Sequence, residues 1–288
     1  MKNSIFCDPD TGQVLSFTAD GQALQTTDGT TRTVVEEGCV VLLPQRPERG
    51  DFAYREHYQA DAEAFDYFEG WEDPAAVHEN RRLHEMILQQ APGPKRRILD
   101  VGCGSAWVAR HFAAQEVEVY SMDVSTVNPK RAVATYPFAG HLGVVADVFH
   151  LPFQKESFDF IVASEIIEHV PDPKAFLASL LPVLAPGGVL VVTTPHAEKL
   201  AHSLCVHCNR VTPHHGHLHS FKAADLIALL PAPVRASAQT HTFVNKLLLH
   251  ARTHKVLQYL PFPLWRMVDR IFNLLVPKTA RLMLVVRR

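Results

Sequence analysis

No uninterrupted apolar run in the sequence approaches the roughly 18 residues that a membrane span needs, and the opening MKNSIFCDPD lacks the apolar stretch of a secretory leader. Neither secretion nor an integral membrane protein is expected, and the cytoplasm is the expected compartment. Cysteine is scarce and odd in number, at positions 7, 39, 103, 205 and 208, which argues against a disulfide framework and for reduced thiols or metal ligands. A strong net charge is also missing: the balance is −2, so no global attraction to nucleic acid is expected. There is no internal repeat and no low-complexity tract.

What is present is ordinary globular material, 47% hydrophobic and 20% charged over 288 residues, enough for one large domain and a small one. Residues 1–46 form a small β-rich N-terminal module, with the β-prone runs SIFC, QVLSFTA, TRTVV and CVVLLP separated by the turn signals Asp8-Pro9-Asp10, Asp20-Gly21 and Asp28-Gly29. Residues 47–95 are an aromatic-rich helical cap or linker. It holds Phe52, Tyr54, Tyr58, Phe65, Tyr67, Phe68 and Trp71, and the spacing of Val77, Leu83, Met86 and Ile87 predicts a helix over 75–90.

From Arg97 the pattern alternates strand, turn and helix: RILDVGCG, EVEVYSMD, LGVVAD, FDFIVAS and GVLVVTTP. Continuous apolar strands between helical segments are what a parallel sheet covered on both faces requires, which predicts a doubly wound α/β domain over 96–288. Two later strands are expected near 233–244 and at ARLMLVVRR. The same domain carries a Cys/His loop insertion at 197–220 and a helical insertion at 247–279. Residues 246–288 hold nine Lys or Arg against Asp269 alone, so this end is locally basic.

The first strand ends ILDVGCGSAW, which places Asp100, Gly102 and Gly104 at the carboxyl end of a strand where a helix begins. Ligands bind there in open α/β sheets. Position 107 is Trp where a dinucleotide fingerprint needs its third glycine, and an acid stands at Asp100, which disfavours NAD and suits a cationic ligand part. Asp123 closes the second strand about 20 residues on, the place for an acceptor of ribose hydroxyls. Asp147, with Val148 beside it, stands at the tip of the third strand and is expected to accept from an adenine amino group. The set describes an adenosine ligand without phosphates.

These motifs, LDVGCG, Asp123, Ala146-Asp147 followed by LPF, FDFIVASEIIEHVPDP and LAPGGVLVVTTP, together resemble the class I S-adenosylmethionine-dependent methyltransferases over residues 96–196. The resemblance implies a Rossmann-like, seven-stranded, mostly parallel sheet and S-adenosyl-L-methionine as cofactor. One departure is Ala106, where the family commonly has a third glycine. Methyl transfer from a sulfonium is an in-line displacement, so alignment and exclusion of water matter most.

If the acceptor is a hydroxyl, a base helps. Glu165, Glu168, His169 and His196 stand near the tips of the fourth and fifth strands, with His169 and His196 the better bases at neutral pH. Structural hydrogen bonding is the alternative role for each. Glu165, Glu168 and His169 also resemble the ExxEH element of small-RNA 2'-O-methyltransferases and ubiquinone-pathway O-methyltransferases. There it helps bind a divalent cation, and a later histidine completes the site. SEIIEHVPDP is equally similar to methyltransferases that use no metal.

Residues 205–221 read CVHCNRVTPHHGHLHSF. Cys205 and Cys208 form a CxxC, and His215, His217 and His219 alternate, so that in an extended chain they project on one face. Two thiolates with His217 and His219, His215 being the spare, make a tetrahedral set for a structural zinc. A free-thiol loop with solvated histidines is the alternative, as is a divided cluster in which His219 serves EIIEH. The N-terminal module is similar to small zinc-ribbon or Trm112-like modules, but Cys7 and Cys39 are two ligands where four are needed, so a metal-free module is expected.

The leading expectation is methyl transfer to oxygen or nitrogen of a small or lipid-linked acceptor, with the aromatic segment as a lid and the basic, tryptophan-bearing segment 255–281 as a peripheral membrane contact. An RNA methyltransferase is the runner-up, suggested by the N-terminal module and the basic end. A cofactor-binding scaffold without turnover is the third reading.

Overall fold

The structure, a computed structural model, describes residues 4–48, 52–69, 74–93, 96–204, 211–213, 216–250 and 254–288. The N-terminal segment contributes β1 (Ser16–Phe17), β2 (Ala23–Gln25), β3 (Thr31–Val34) and β4 (Cys39–Val41), followed by helices α1 (Tyr54–Ala64) and α2 (Pro74–Leu88). The alternating region then runs β5 (Arg97–Val101), α3 (Trp107–Phe112), β6 (Glu118–Asp123), α4 (Val127–Thr135), β7 (His141–Val145), β8 (Phe158–Ser164), α5 (Pro173–Leu180) and β9 (Leu184–Pro195). A two-stranded ribbon, β10 (His202–Leu204) and β11 (Val211–Pro213), precedes α6 (Ala223–Leu229), α7 (Ala232–Arg235) and β12 (Ala238–Asn245). The chain ends with α8 (Lys246–His250), α9 (His254–Leu257), α10 (Phe262–Leu275) and β13 (Thr279–Arg287).

The main sheet has the order β12-β13-β9-β8-β5-β6-β7-β4 among the described residues. Its seven expected strands are joined by an eighth: β4, from the N-terminal module, pairs parallel to β7 with Cys39 opposite Gly143. The reason is that β7 is buried at all five positions and needs a neighbour on its outer edge. A side chain at Gly143 would lie 2.7 Å from the Pro129 carbonyl and 3.1 Å from Cys39 Sγ, so glycine permits the close approach. Cys39 faces the core, and burial pushes its thiol up to about 11. β13 runs antiparallel between β9 and β12, and β5 to β9 are mutually parallel.

Alternation along each central strand sends neighbours to opposite faces. Leu99, Tyr120 and Ile161 pack on one side with Phe6, Leu15 and Val40 of the N-terminal module and Phe176 of α5. Ile98, Val119 and Phe160 pack on the other with Ile87 of α2, Phe112 of α3 and Trp265 of α10. Each fully buried apolar side chain of this size is worth about 1.5–3 kcal/mol. The N-terminal module therefore shares its core with the sheet. Strand β5 has β6 on one side and β8 on the other, so the strand order reverses there, and a crevice opens beyond its carboxyl end.

Candidate active site

The turn after β5 is shaped by three left-handed residues, Gly102 (φ 67°), Gly104 (φ 46°) and Ala106 (φ 53°). Ala106 is the position where glycine was expected, and the backbone there adopts the region that glycine favours, with its methyl fully buried. A side chain at Gly102 would collide with Ile166 Cδ1 at 2.2 Å, so this glycine admits the packing of the segment after β8. Tyr67 stands over Gly104: a Cβ at that glycine would touch Tyr67 Cδ1 at 3.9 Å.

Asp100 is buried, and its Oδ2 has no hydrogen-bond partner. Burial, helped by the Asp123 charge, holds its carboxyl well above the ordinary range. An orphaned buried oxygen at this place suits a ligand that brings a positive charge or a donor. Asp123 Oδ1 accepts from the Ser125 N–H at 2.9 Å and Oδ2 from Asn128 Nδ2 at 3.2 Å. Burial raises its pKa, opposed by those bonds and by the Gly104 N–H.

Asp147 caps a short 3-10 turn that begins at Val148, with Oδ1 accepting from the Phe149 N–H at 2.9 Å. Its Oδ2 is already engaged. The Tyr54 hydroxyl donates to it at 2.6 Å, and Arg55 donates from Nη2 at 2.6 Å and Nε at 3.1 Å. Helix α1 thus crosses the strand ends: Gln59 Oε1 accepts from Thr126 N–H at 2.8 Å beyond β6, and the Tyr58 hydroxyl donates to the His169 carbonyl at 3.3 Å beyond β8.

The EIIEH element opens with Glu165 in a left-handed conformation (φ 58°), its N–H donating to the Thr193 carbonyl at 3.0 Å. Arg281 of β13 donates to Glu165 Oε2, while Oε1 is buried without a partner. Burial raises this carboxyl, and the Arg281 charge opposes that. Glu168 is 1% exposed, with neither carboxylate oxygen hydrogen-bonded. Burial, and then the Glu165 charge, hold it well above its ordinary range.

Glu168, His169 and His217 form a cluster whose ligand atoms all lie within 4.8 Å of one another. The Glu168 carbonyl accepts from the N–H groups of Leu218 at 2.7 Å and His219 at 3.2 Å, which brings His217 in. His217 Nδ1 is 2.5 Å from Glu198 Oε2, and its ring lies 4.8 Å from that of His169. One carboxylate and two imidazoles fit a divalent cation, which would give the two orphaned Glu168 oxygens the partner they lack.

The expected zinc set divides at this point. His217 joins Glu168 and His169, whereas His219 Nε2 is 3.0 Å from the Val170 carbonyl, so the two histidines face different partners. Cys205 and Cys208, with the spare His215, lie outside the described residues. It is His217, not His219, that joins Glu168 and His169: residues 217–220 are not a strand, and the two N–H groups held by the Glu168 carbonyl break the one-face alternation expected of an extended chain. His196 stands apart from the cluster: its Nδ1 is 2.7 Å from Thr279 Oγ1, and burial, with the Lys246 charge, lowers its pKa.

Three contributors escape sequence reasoning. Arg281 sits in an apolar strand, and a lone cation between buried positions was its signal; Arg55 and Gln59 carried none.

A glycine turn at the switch point, with acids ending β5 and β6, defines a nucleoside-binding domain of the Rossmann-like class. Residues 75–232 match the family described as methyltransferase domain, and the chain belongs to that family. It is 32% identical over 105 residues to a ubiquinone biosynthesis O-methyltransferase of Psychrobacter cryohalolentis, covering 34% of this chain and 40% of that protein. It is also 32% identical over 152 residues to the protein of the same name in Histophilus somni, covering 47% and 63%. A chloroplastic tocopherol O-methyltransferase of Arabidopsis thaliana is 30% identical over 123 residues, covering 41% and 35%. The matches thus span between 35% and 63% of those curated relatives.

Among solved structures, the fold is similar to a Burkholderia thailandensis 1,6-didemethyltoxoflavin-N1-methyltransferase with bound S-adenosylhomocysteine. The TM-score is 0.53 at 17% identity, over 85% of this chain and 93% of that one. It is also similar to a Haemonchus contortus phosphoethanolamine N-methyltransferase, with a TM-score of 0.52 at 15% identity over 84% and 61% of the two chains.

Proposed function

We propose that the chain transfers a methyl group from S-adenosylmethionine to a hydroxyl of a small or lipid-linked acceptor, with a divalent cation held by Glu168, His169 and His217. The observation that carries the choice of a hydroxyl is Glu168, buried with two unpartnered carboxylate oxygens beside two imidazoles. Relatives named for O-methylation of tocopherol and in ubiquinone biosynthesis support the same reading. Tocopherol and ubiquinone join an oxygen-bearing ring to a long apolar tail, which favours an acceptor of that chemical class.

S-adenosylmethionine supplies an electrophilic methyl on a sulfonium when bound. The residues of this chain bind and align. Asp123 accepts from ribose hydroxyls at the end of β6, and Asp100 places negative charge under the cationic end of the cofactor. Asp147 keeps the adenine side closed through Tyr54 and Arg55. Helix α1 and Tyr67 cover the turn and exclude water. A divalent cation, when bound, acidifies a neighbouring hydroxyl. Glu165 stands beside that position to take its proton, with Arg281 holding the Glu165 carboxylate in place and His169 kept as a ligand of the cation.

The test is incubation with S-adenosylmethionine and a catechol bearing an apolar tail, following S-adenosylhomocysteine and the methyl ether by mass spectrometry. Product in a magnesium or manganese buffer, lost on chelation and in Asp123→Ala, is expected. Turnover unaffected by chelation would remove the cation from the reading, and absence of turnover with every hydroxyl acceptor would remove the acceptor class.

A further inference from the structure

The helical insertion carries an apolar face that the protein leaves in water. Helix α10 turns Phe262, Trp265 and Asp269 inward: the Trp265 ring lies 5.5 Å from His78 of α2, and Asp269 Oδ1 accepts from the Asn245 N–H at 2.7 Å. Trp265 is therefore a core anchor, not the membrane contact expected from its place in a basic segment. At spacings of three and four residues on another side of the same helix, Leu264, Met267, Ile271 and Leu274 are exposed, with Leu275 following. Leu274 is 85% and Leu275 75% exposed, and Tyr259, just before the helix, is 82% exposed. Large apolar side chains in one contiguous row are not ordinary surface.

Residues 246–278 contain six Lys or Arg and the single acid Asp269, which is buried. Among the described residues, Arg266 is paired with Glu85 of α2 and Lys246 with the His196 carbonyl, while Arg270 and Lys278 are the exposed cations beside this row. A second copy of the same face would bring these cations together, whereas an anionic surface would complement them. Helix α10, at 14 residues, is about 21 Å long, and no helix among the described residues is long and apolar enough to cross a membrane. A short helix with an apolar face and exposed cations beside it lies in the plane of a lipid surface.

We propose that the exposed face of α10, with Tyr259, docks this protein on an anionic lipid bilayer. The topology gives the docking a use. The insertion leaves the sheet at the end of β12 and returns at the start of β13, where the Lys246 N–H donates to the Lys278 carbonyl at 2.7 Å and Lys246 Nζ to the His196 carbonyl at 2.8 Å. Because β12 and β9 both run antiparallel to β13, this is the edge at which β5, β6 and β8 also end. Docking would set the acceptor end of the site toward the bilayer that holds a lipid-linked acceptor. The docking itself does not rest on the proposed reaction, and its test contains neither cofactor nor acceptor, so either reading can fail alone.

The experiment is co-sedimentation of the full chain with vesicles of phosphatidylcholine alone and of equimolar phosphatidylcholine and phosphatidylglycerol. Binding to the anionic vesicles that falls with added salt, and much weaker binding to the neutral ones, is expected. Ile271→Glu with Leu274→Glu should reduce partition at least about tenfold. Arg270→Gln and Lys278→Gln should each reduce it about fivefold. Thermal unfolding checks that the variants remain folded, and the two conservative variants serve if the paired substitution does not fold. Absence of binding, equal binding to both vesicles, or binding retained in the paired variant would overturn the proposal. So would self-association without vesicles that the same pair abolishes, which would assign the face to a second copy.

Discussion

Arg281 of β13 binds two acids at once, donating from Nη1 to Glu165 Oε2 beyond β8 and from Nε to Glu79 Oε1 of α2 at 2.7 Å. One guanidinium thereby ties the last strand, the cap helix and the left-handed start of EIIEH. Burial raises the Glu165 carboxyl while Arg281 opposes that rise, so the carboxylate depends on this partner for its charge.

Arg281→Met should leave Glu165 and Glu79 without their cation. Breaking a fully buried pair costs about 3–5 kcal/mol; for groups that retain some solvent contact, a loss of about 2 kcal/mol is expected. Urea unfolding at neutral pH measures it. Adding Glu165→Gln should restore part of the loss, because it removes one stranded charge. A variant as stable as the parent would mean that solvent already satisfies both acids.

Asp123 accepts from the Ser125 N–H and from Asn128 Nδ2, which fix its carboxylate at the end of β6. Asp123→Ala should therefore weaken S-adenosylhomocysteine binding by about 1.5–3 kcal/mol, the range for hydrogen bonds to a charged group. Titration calorimetry reads this directly. Unchanged affinity would move the ribose away from the end of β6.

His84 of α2 stacks on Trp107 with ring centroids 3.8 Å apart, and burial, with the nearby Arg110 charge, lowers its pKa to about 4. The unfolded chain takes up this proton at a higher pH than the folded one. Stability is therefore unaffected above the ordinary histidine range and falls as pH drops from about 6.5 toward 4. The contribution lost is on the order of 2–3 kcal/mol. His84→Phe keeps the stack and should flatten that part of the acid limb relative to the parent. Parallel limbs would show that carboxylates elsewhere dominate.

The sheet was legible because each core strand is a continuous apolar run ending in a turn signal, and periodicity sees such strands well. β4 was visible as a strand but not as part of the main sheet, since nothing local in CVVLLP specifies a partner more than a hundred residues away. The site was half legible for the same reason. Asp100, Gly102, Gly104 and Asp123 share one edge because the strands that carry them are parallel. Arg281, Arg55 and Gln59 reach that edge from elements distant in sequence. His217 and His219 share a pattern but not a partner, because the Glu168 carbonyl fixes the backbone of their segment and so decides which ring turns inward.

The cation site can be tested without turnover. Glu198 Oε2, 2.5 Å from His217 Nδ1, assigns the proton of that ring to Nδ1 and the lone pair to Nε2. Manganese titrated into the chelator-treated protein should bind once per chain. Glu168→Gln removes the one carboxylate of the cluster and should abolish that binding, whereas Glu198→Gln should weaken it about 10- to 100-fold by loosening the ring that it orients. His219→Ala, at a ring bonded to the Val170 carbonyl, should leave it unchanged. Binding that survives Glu168→Gln but fails in His219→Ala would place the metal with the Cys205 and Cys208 loop instead, and Glu168 would then be a buried acid of the acceptor pocket.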